Sequence, residues 1–117
     1  MRIRVRAVNL ALDARTRAEI ELLLQASLGR LERRILRVDA RVADQNGPRG
    51  GADISCLVEV RLRPRGRLFV EETDVDLQGA VRRAADAAAT TVSRNLERKR
   101  DLHRRPSTRP ALDASGI

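Results

Sequence analysis

The feature of this sequence that most restricts its fold is a strict alternation of apolar and charged residues in short segments. Residues 2–8 read Arg-Ile-Arg-Val-Arg-Ala-Val, so that the three arginines share one face and Ile3, Val5 and Ala7 share the other. A period of two with one apolar face is typical of a β-strand buried on one side. The sequence therefore predicts a sheet with one polar face open to solvent.

Three further segments, 36–43, 54–62 and 67–72, show the same alternation. Between the first two of them, residues 44–51 contain Asn-Gly and Gly-Gly steps, which tolerate positive φ and predict a hairpin connection longer than two residues. Residues 63–66 predict a tight turn before the last, shorter strand. The predicted inward residues are Leu36, Val38, Ala40 and Val42 in the second strand, and Ile54, Cys56, Val58, Val60 and Leu62 in the third.

Two longer segments repeat apolar residues every three or four positions, which indicates amphipathic helices. In the first, Thr16 and Glu19 fit a capping box, and Asp13 offers a competing N-cap one turn earlier. The second runs over about 77–103, with Asp74 or Asp76 as its cap. The predicted buried stripe of the first helix is Ile20, Leu24, Leu28, Leu31 and Ile35.

The predicted order is β-α-β-β-β-α, an α+β domain over residues 1–104 followed by a disordered tail, 105–117, that contains Pro, Ser and Gly. A strand-helix-strand unit requires a crossover, so the first two strands should be parallel, and the remaining strands should form an antiparallel meander. Because each strand has a single apolar face, both helices must pack on the same side of the four-stranded sheet.

The charge balance favours a polyanionic partner. The chain carries 24 Lys and Arg against 16 Asp and Glu, for a net charge of +8, and half of that excess falls in residues 93–117. Nucleic acid fits better than a membrane surface because no strongly apolar face accompanies these charges. No segment approaches the roughly 18 apolar residues of a membrane helix, so we expect a cytoplasmic protein.

Catalytic and metal-binding patterns are weak in this sequence. His103 is the only histidine, and the acidic cluster within 71–76 fits strand-end solvation and helix capping better than the alternative, a divalent-cation site. Cys56 lies in an apolar alternating segment, which favours a small buried side chain over a reactive thiol. The glycine-rich stretch 46–51 lacks the Gly-Lys-Ser/Thr ending of a phosphate loop, although Arg49 could touch RNA there. We therefore expect no enzyme activity, cofactor, metal or small-molecule substrate.

Residues 34–51, which read Arg-Ile-Leu-Arg-Val-Asp-Ala-Arg-Val-Ala-Asp-Gln-Asn-Gly-Pro-Arg-Gly-Gly, resemble the second strand and following turn of the ribosome hibernation-promoting factor, or ribosome-associated inhibitor, family. The helix end at Leu31-Glu32 and the helix entry at 76–83 are also similar to that family. The resemblance spans about residues 2–100 and is to a short form from a divergent branch.

This resemblance implies a fold like the double-stranded-RNA-binding domain. It also implies that the protein docks on the small ribosomal subunit through 16S rRNA, occupies the mRNA and tRNA channel of idle ribosomes, and inhibits translation as a monomer. The RNA-binding residues that it implies lie on the two helices: Arg15, Arg17, Arg30, Arg33, Arg34, Arg83, Arg94, Arg98, Lys99 and Arg100.

One departure from the family supports a competing hypothesis. Family members commonly carry bases in the middle of the second helix, where this chain has Ala87 and Thr90. The alternative is an interaction domain that keeps the fold but binds a protein that is not part of the ribosome.

Overall fold

The elements follow the predicted order in a computed structural model that describes residues 1–45 and 53–104, with the backbone alone for 100–104. The predicted hairpin connection falls mainly on 46–52, and the tail on 105–117, so both lie outside the described residues, as does Arg49. The elements are β1 (Arg2–Val8), α1 (Ala14–Leu28), a 3-10 helix (Gly29–Arg34), β2 (Ile35–Asp44), β3 (Ile54–Leu62), β4 (Arg67–Asp74) and α2 (Leu77–Arg104).

The four strands form one mixed sheet in the order β1-β2-β3-β4. β1 pairs in parallel with β2, as predicted for strands joined through a helix, and β3 and β4 continue as an antiparallel meander. The register places Val5 beside Ala40, Ala40 beside Val58, and Val58 beside Val70, so one apolar row crosses all four strands. This row fixes the face of the sheet that is buried.

Both helices begin at aspartates. The Asp13 carboxylate accepts a hydrogen bond from the Thr16 backbone amide at 2.7 Å, so the N-cap of α1 is Asp13 and not Thr16. This bond lowers the pKa of Asp13. Asp76 accepts from the Gly79 amide at 2.6 Å at the start of α2. Each carboxylate satisfies an amide that has no partner within its helix.

One hydrophobic core joins the two helices to the sheet. It is continuous from α1, through alternate residues of the inner strands, to an alanine-rich face of α2, so both helices lie on the same side, as predicted. The small side chains of α2 allow that helix to lie close to β3 and β4. The core members are Val5, Ile20, Leu24, Leu28, Ile35, Val38, Ala40, Val42, Cys56, Val58, Val60, Leu62, Ala80, Val81, Ala84, Ala85, Ala88, Ala89 and Val92.

The start of β2 differs from the sequence prediction. Ile35 is fully buried at the first position of the strand, whereas Leu36, predicted to point inward, is 47% exposed. The cause is an irregularity in the pairing with β3, where the register shifts between Ile35 and Arg37. The extra residue of a bulge leaves the alternation before it and after it out of phase. The predicted helical stripe therefore ends before Ile35, which belongs to the sheet.

Cys56 lies at the centre of the core, fully buried in β3. Burial raises the pKa of its thiol to about 12, from an ordinary value of 9.0. We therefore expect Cys56 to react slowly with a thiol reagent at pH 8 in the folded protein and rapidly in urea, because the reactive species is the thiolate. The native thiol stays protonated between pH 9 and 12 while the unfolded one ionises, so this group makes stability fall as the pH rises through that window. Rapid stoichiometric labelling of the folded protein would contradict the buried position.

Candidate nucleic-acid interface

Cationic side chains from three separate parts of the chain meet at one end of the molecule, where β2 begins and β3 ends. We call these residues the basic end. The 3-10 helix contributes arginines there, the β3–β4 turn contributes two more, and the last turns of α2 complete the group. All of these side chains are exposed, and Glu32 and Glu97 are acidic neighbours. The basic end consists of Arg30, Arg33, Arg34, Arg63, Arg65, Arg94, Arg98 and Lys99.

A groove of about 840 Å³ opens at the basic end. Four cations line it, together with the single carboxylate of Glu97 and an apolar floor. Cations above an apolar floor suit a ligand that combines phosphates with a flat or weakly polar body, as a nucleic acid does. The groove is lined by Leu31, Arg34, Leu62, Arg63, Pro64, Arg65, Ser93, Leu96, Glu97 and Lys99.

Backbone hydrogen bonds hold the β3–β4 turn in place beside the 3-10 helix. The Leu62 amide donates to the Gly66 carbonyl at 2.9 Å, and the Arg63 amide donates to the Arg34 carbonyl at 2.8 Å. Gly66 has φ of 118°, a conformation that glycine adopts without strain. A Cβ atom at Gly66 would lie 3.8 Å from Lys99 Nζ, so the turn approaches the end of α2 closely. The turn includes a cis Arg63-Pro64 peptide.

Six of the ten residues predicted for RNA binding belong to the basic end. Arg34 and Lys99 line its groove, whereas Arg30, Arg33, Arg94 and Arg98 are exposed on the same 3-10 helix and the last described turns of α2. The backbone of Arg100 continues α2 beyond them, and its side chain lies outside the described residues. These bases come from the C-terminal ends of the two predicted helices, and both helix ends lie at the same end of the strands.

The other three predicted residues lie in the first two turns of the helices, away from the basic end, and have partners of their own. Arg15 forms an ion pair with Glu19 at 3.6 Å, and Arg83 forms one with Glu72 of β4 at 3.4 Å. Arg17 donates from its guanidinium to the Val5 carbonyl and so ties α1 to the edge strand β1. Each of these arginines therefore has a bonding partner within the protein, whereas a fully solvated arginine has none.

Sequence reasoning missed Arg63 and Arg65. Their segment predicts only a tight turn, because nothing in the local pattern places that turn beside Arg34, 29 residues before Arg63, or Lys99, 34 residues after Arg65. The available signal was composition, since the segment 61–67 contains four arginines. A cluster of like charges in a turn indicates a binding surface only when other elements add to it.

The exposed middle of the two helices carries few bases. On the exposed side of the helix pair, Ser27 donates to Asp86 at 3.3 Å, and Gln78 donates to Glu19 at 3.1 Å. Leu22 is 68% exposed on α1, and Thr90 is exposed on α2. The helical surface therefore carries few cations between its ends. The cations of the last turns belong to the basic end, and Arg15, Arg82 and Arg83 lie near the helix starts.

The opposite end of the strands is acidic. We call it the acidic end; it includes Asp13, Asp44, Asp53, Glu72, Asp74 and Asp76. Two of these carboxylates are engaged at helix starts, and Glu72 pairs with Arg83. Among the side chains that the structure describes, in 1–45 and 53–99, no three His, Cys, Asp or Glu are grouped so as to hold a metal ion. The charge polarity of the domain favours approach of a polyanion from the basic end.

The chain folds as a small α+β domain, and exposed cations from three parts of the chain are grouped at its basic end. Residues 3–100 match the family described as "Sigma 54 modulation protein / S30EA ribosomal protein". The chain belongs to this family, the ribosome-associated hibernation factors that its residues 34–51 resemble.

Two solved structures show the same fold. The crystal structure of the Thermus thermophilus Protein Y N-terminal domain is 29% identical, with a TM-score of 0.67 over 80% of this chain and 98% of that one. A ribosomal subunit interface protein from Coxiella burnetii is 12% identical, with a TM-score of 0.66 over 83% of this chain and 99% of that one. No match was found among curated protein sequences. None of the described helices is both long enough and apolar enough to cross a membrane.

Proposed function

We propose that the protein binds the small ribosomal subunit through 16S rRNA and keeps idle ribosomes inactive by occupying the mRNA and tRNA channel. It does so as a cytoplasmic monomer and without catalysis, a cofactor or a small-molecule substrate. The observation that carries this proposal is the groove at the basic end, in a chain that belongs to a family of ribosome-associated proteins.

The groove suits an RNA backbone for two reasons. Arg34 and Arg65 can each make paired hydrogen bonds to phosphate oxygens, and Lys99 adds a compact charge beside them. Arg63 donates from Nε to the Ile35 carbonyl at 3.4 Å, which leaves its two terminal nitrogens for a phosphate. The apolar floor can lie against ribose or an unstacked base. Such recognition reads shape and phosphate positions and needs little base specificity, so it matches a surface poor in aromatic residues.

Inhibition by occupancy requires only that the domain fill space that mRNA or tRNA would use. The docking orientation follows from the charge polarity, because the basic end faces the rRNA and the acidic end faces away. Arg94 and Arg98, exposed on the turns of α2 beside the groove, extend the contact along the helix. Arg15, Arg17 and Arg83 contribute chiefly to the fold through the contacts described above.

One observation favours a second candidate, a domain that binds a protein outside the ribosome. The exposed middle of the helices, with Leu22, Thr90 and Asp86, resembles a protein-binding surface more than an RNA-binding one. A partner of that kind would leave the basic end unused.

Cosedimentation with purified small subunits tests the proposed function. We expect the full chain to pellet with the subunits at 50 mM salt and to be released at 200 mM, because contacts to about six phosphates lower the affinity by roughly three orders of magnitude over that range. An Arg94→Glu/Arg98→Glu variant should pellet less at every salt concentration. If both proteins stay in the supernatant at low salt, the ribosomal proposal fails and the protein-binding alternative takes its place.

A further inference from the structure

The face of the sheet opposite the helices is open and carries an unusual number of arginines. They occupy alternate positions on all four strands and outnumber the carboxylates Asp39, Glu59 and Glu71 on the same face. The set that we call the arginine face is Arg2, Arg4, Arg6, Arg37, Arg41, Arg61 and Arg67.

Intramolecular ion pairs account for four of these seven arginines. Asp39 contacts Arg37 at 3.1 Å and Arg4 at 4.0 Å, and Glu59 contacts Arg67 at 3.4 Å and Arg61 at 3.6 Å. Each carboxylate is thus shared by two cations. Within the part of the chain that the structure describes, Arg2, Arg6 and Arg41 have no ion pair, and all three are exposed. The face keeps a net positive charge after every pair is counted.

The strand register places arginines directly opposite one another. Arg2 lies beside Arg37, and Arg6 lies beside Arg41, on the parallel pair β1 and β2. Arg61 lies beside Arg37 on one side and Arg67 on the other. Like charges directly opposite in a sheet are destabilising, so the free protein holds repulsion here that a bound anion would relieve.

Protection of the sheet edge does not explain this arrangement. Charged side chains on an edge strand prevent pairing with other sheets, which would account for the arginines of β1. Arg37, Arg41 and Arg61 lie on the inner strands β2 and β3, whose backbones are already paired on both sides. Their presence calls for a different reason.

The arginine face also has a shape and an aromatic group that suit a nucleic acid. A depression of about 290 Å³ on this face is lined by Arg6, Arg41 and Phe69, together with the ion-paired carboxylates of Asp39 and Glu59. Phe69 is the only aromatic residue of the chain and is 56% exposed, with the Arg67 guanidinium 5.6 Å from the centre of its ring. An exposed ring and a guanidinium plane can both stack on an unpaired base.

We propose that the arginine face binds a second RNA segment through its phosphates, so that the domain lies between two RNA strands. The arginine face is on the side of the sheet away from the helices, whereas the groove lies beside α2, so the two surfaces can be occupied together. That this face binds a polyanion is inferred from the strand register and from the arginines without an ion pair. That the polyanion is RNA rests on the proposed function.

A double neutralisation, Arg6→Gln/Arg41→Gln, tests this inference in the full chain. Binding to a fluorescently labelled single-stranded RNA of 20 nucleotides is measured by anisotropy at several salt concentrations. We expect the affinity at 50 mM salt to fall about tenfold or more and the logarithmic salt slope to decrease by about 1.5, because two phosphate contacts are lost. The midpoint of thermal unfolding should stay the same or rise, because the repulsion between these neighbouring strands is removed.

The matched control is Ala11→Glu/Val75→Glu, which lowers the net charge of +8 by the same two units at exposed loop positions of the acidic end. We expect it to keep the salt slope of the wild type. The inference is overturned if the two variants bind RNA alike, if the arginine variant unfolds at a lower temperature, or if poly-glutamate binds this face and RNA does not. Loss of RNA binding on neutralising the basic end, with the Arg6→Gln/Arg41→Gln variant unaffected, would overturn this inference and leave the proposed function intact. If the Arg6→Gln/Arg41→Gln variant loses RNA binding and the variant of the basic end does not, the groove is not the RNA-binding site and the arginine face is.

Discussion

Neutralising the groove by Arg34→Gln/Arg65→Gln/Lys99→Gln is expected to weaken association with the small ribosomal subunit by about two orders of magnitude at low salt. The three side chains come from the 3-10 helix, the β3–β4 turn and α2, and they line the same groove. The logarithmic salt slope should fall by roughly 2 to 3, since each phosphate contact contributes about 0.7 to 0.9. Quantitative cosedimentation over a series of salt concentrations measures both quantities.

The control for this variant is Ala11→Glu/Ala14→Glu/Val75→Glu. It lowers the net charge from +8 to +5, as the groove variant does, but at exposed positions of the acidic end. A glutamate at position 14 also suits the start of α1, because the helix dipole favours negative charge there. We expect this protein to lose far less affinity than the groove variant. Equal losses would mean that net charge alone governs binding and that the groove has no special role.

Truncating Leu24 to alanine is expected to lower the free energy of unfolding by about 2–5 kcal/mol, a large share of the roughly 5–15 kcal/mol available to a single domain. Leu24 is fully buried on α1, and its removal would leave a cavity between that helix and the sheet. Equilibrium unfolding in urea, followed by far-UV circular dichroism, measures the change.

Leu22→Ala is the matched control, since it makes the same chemical change two residues earlier on the same helix. Leu22 is 68% exposed, so its truncation should alter stability by no more than about 0.5 kcal/mol. If the two variants unfold at the same urea concentration, α1 does not bury the face assigned to it here. The pair therefore tests the orientation of α1 independently of RNA binding.

The element order could be predicted from the sequence because periodicity is a local property. Side chains alternate along any strand, so the faces of β1 and β3 follow directly from the positions of their apolar residues. Position 35 was placed wrongly because an isoleucine spaced four residues after Leu31 fits a helical stripe as well as it fits a strand. The pairing of β2 with β3 places Ile35 in the strand, and that pairing cannot be predicted from residues 31–36 alone.

The candidate site could be predicted only in part. Arg94, Arg98 and Lys99 were identified from their spacing on one helix, and Arg30, Arg33 and Arg34 from the end of the other. The ion pair between Arg15 and Glu19 follows from their spacing on one helix. The ion pair between Arg83 and Glu72 could not be predicted, because Glu72 lies on a different element. Spacing on a helix shows which side chains share a face and says nothing about what lies opposite them.

The sequence by itself determined the strands, the two helices and most of their apolar faces, because each depends on backbone geometry over a few neighbouring residues. It also determined the excess of positive charge, which is a property of composition. The tertiary structure alone decided how the charges group. It placed Arg63 and Arg65 beside Arg34 and Lys99, and it set Arg6 against Arg41 across two strands. These relations depend on distances in space between residues about 30 or more positions apart, which only the packing of the sheet and helices fixes.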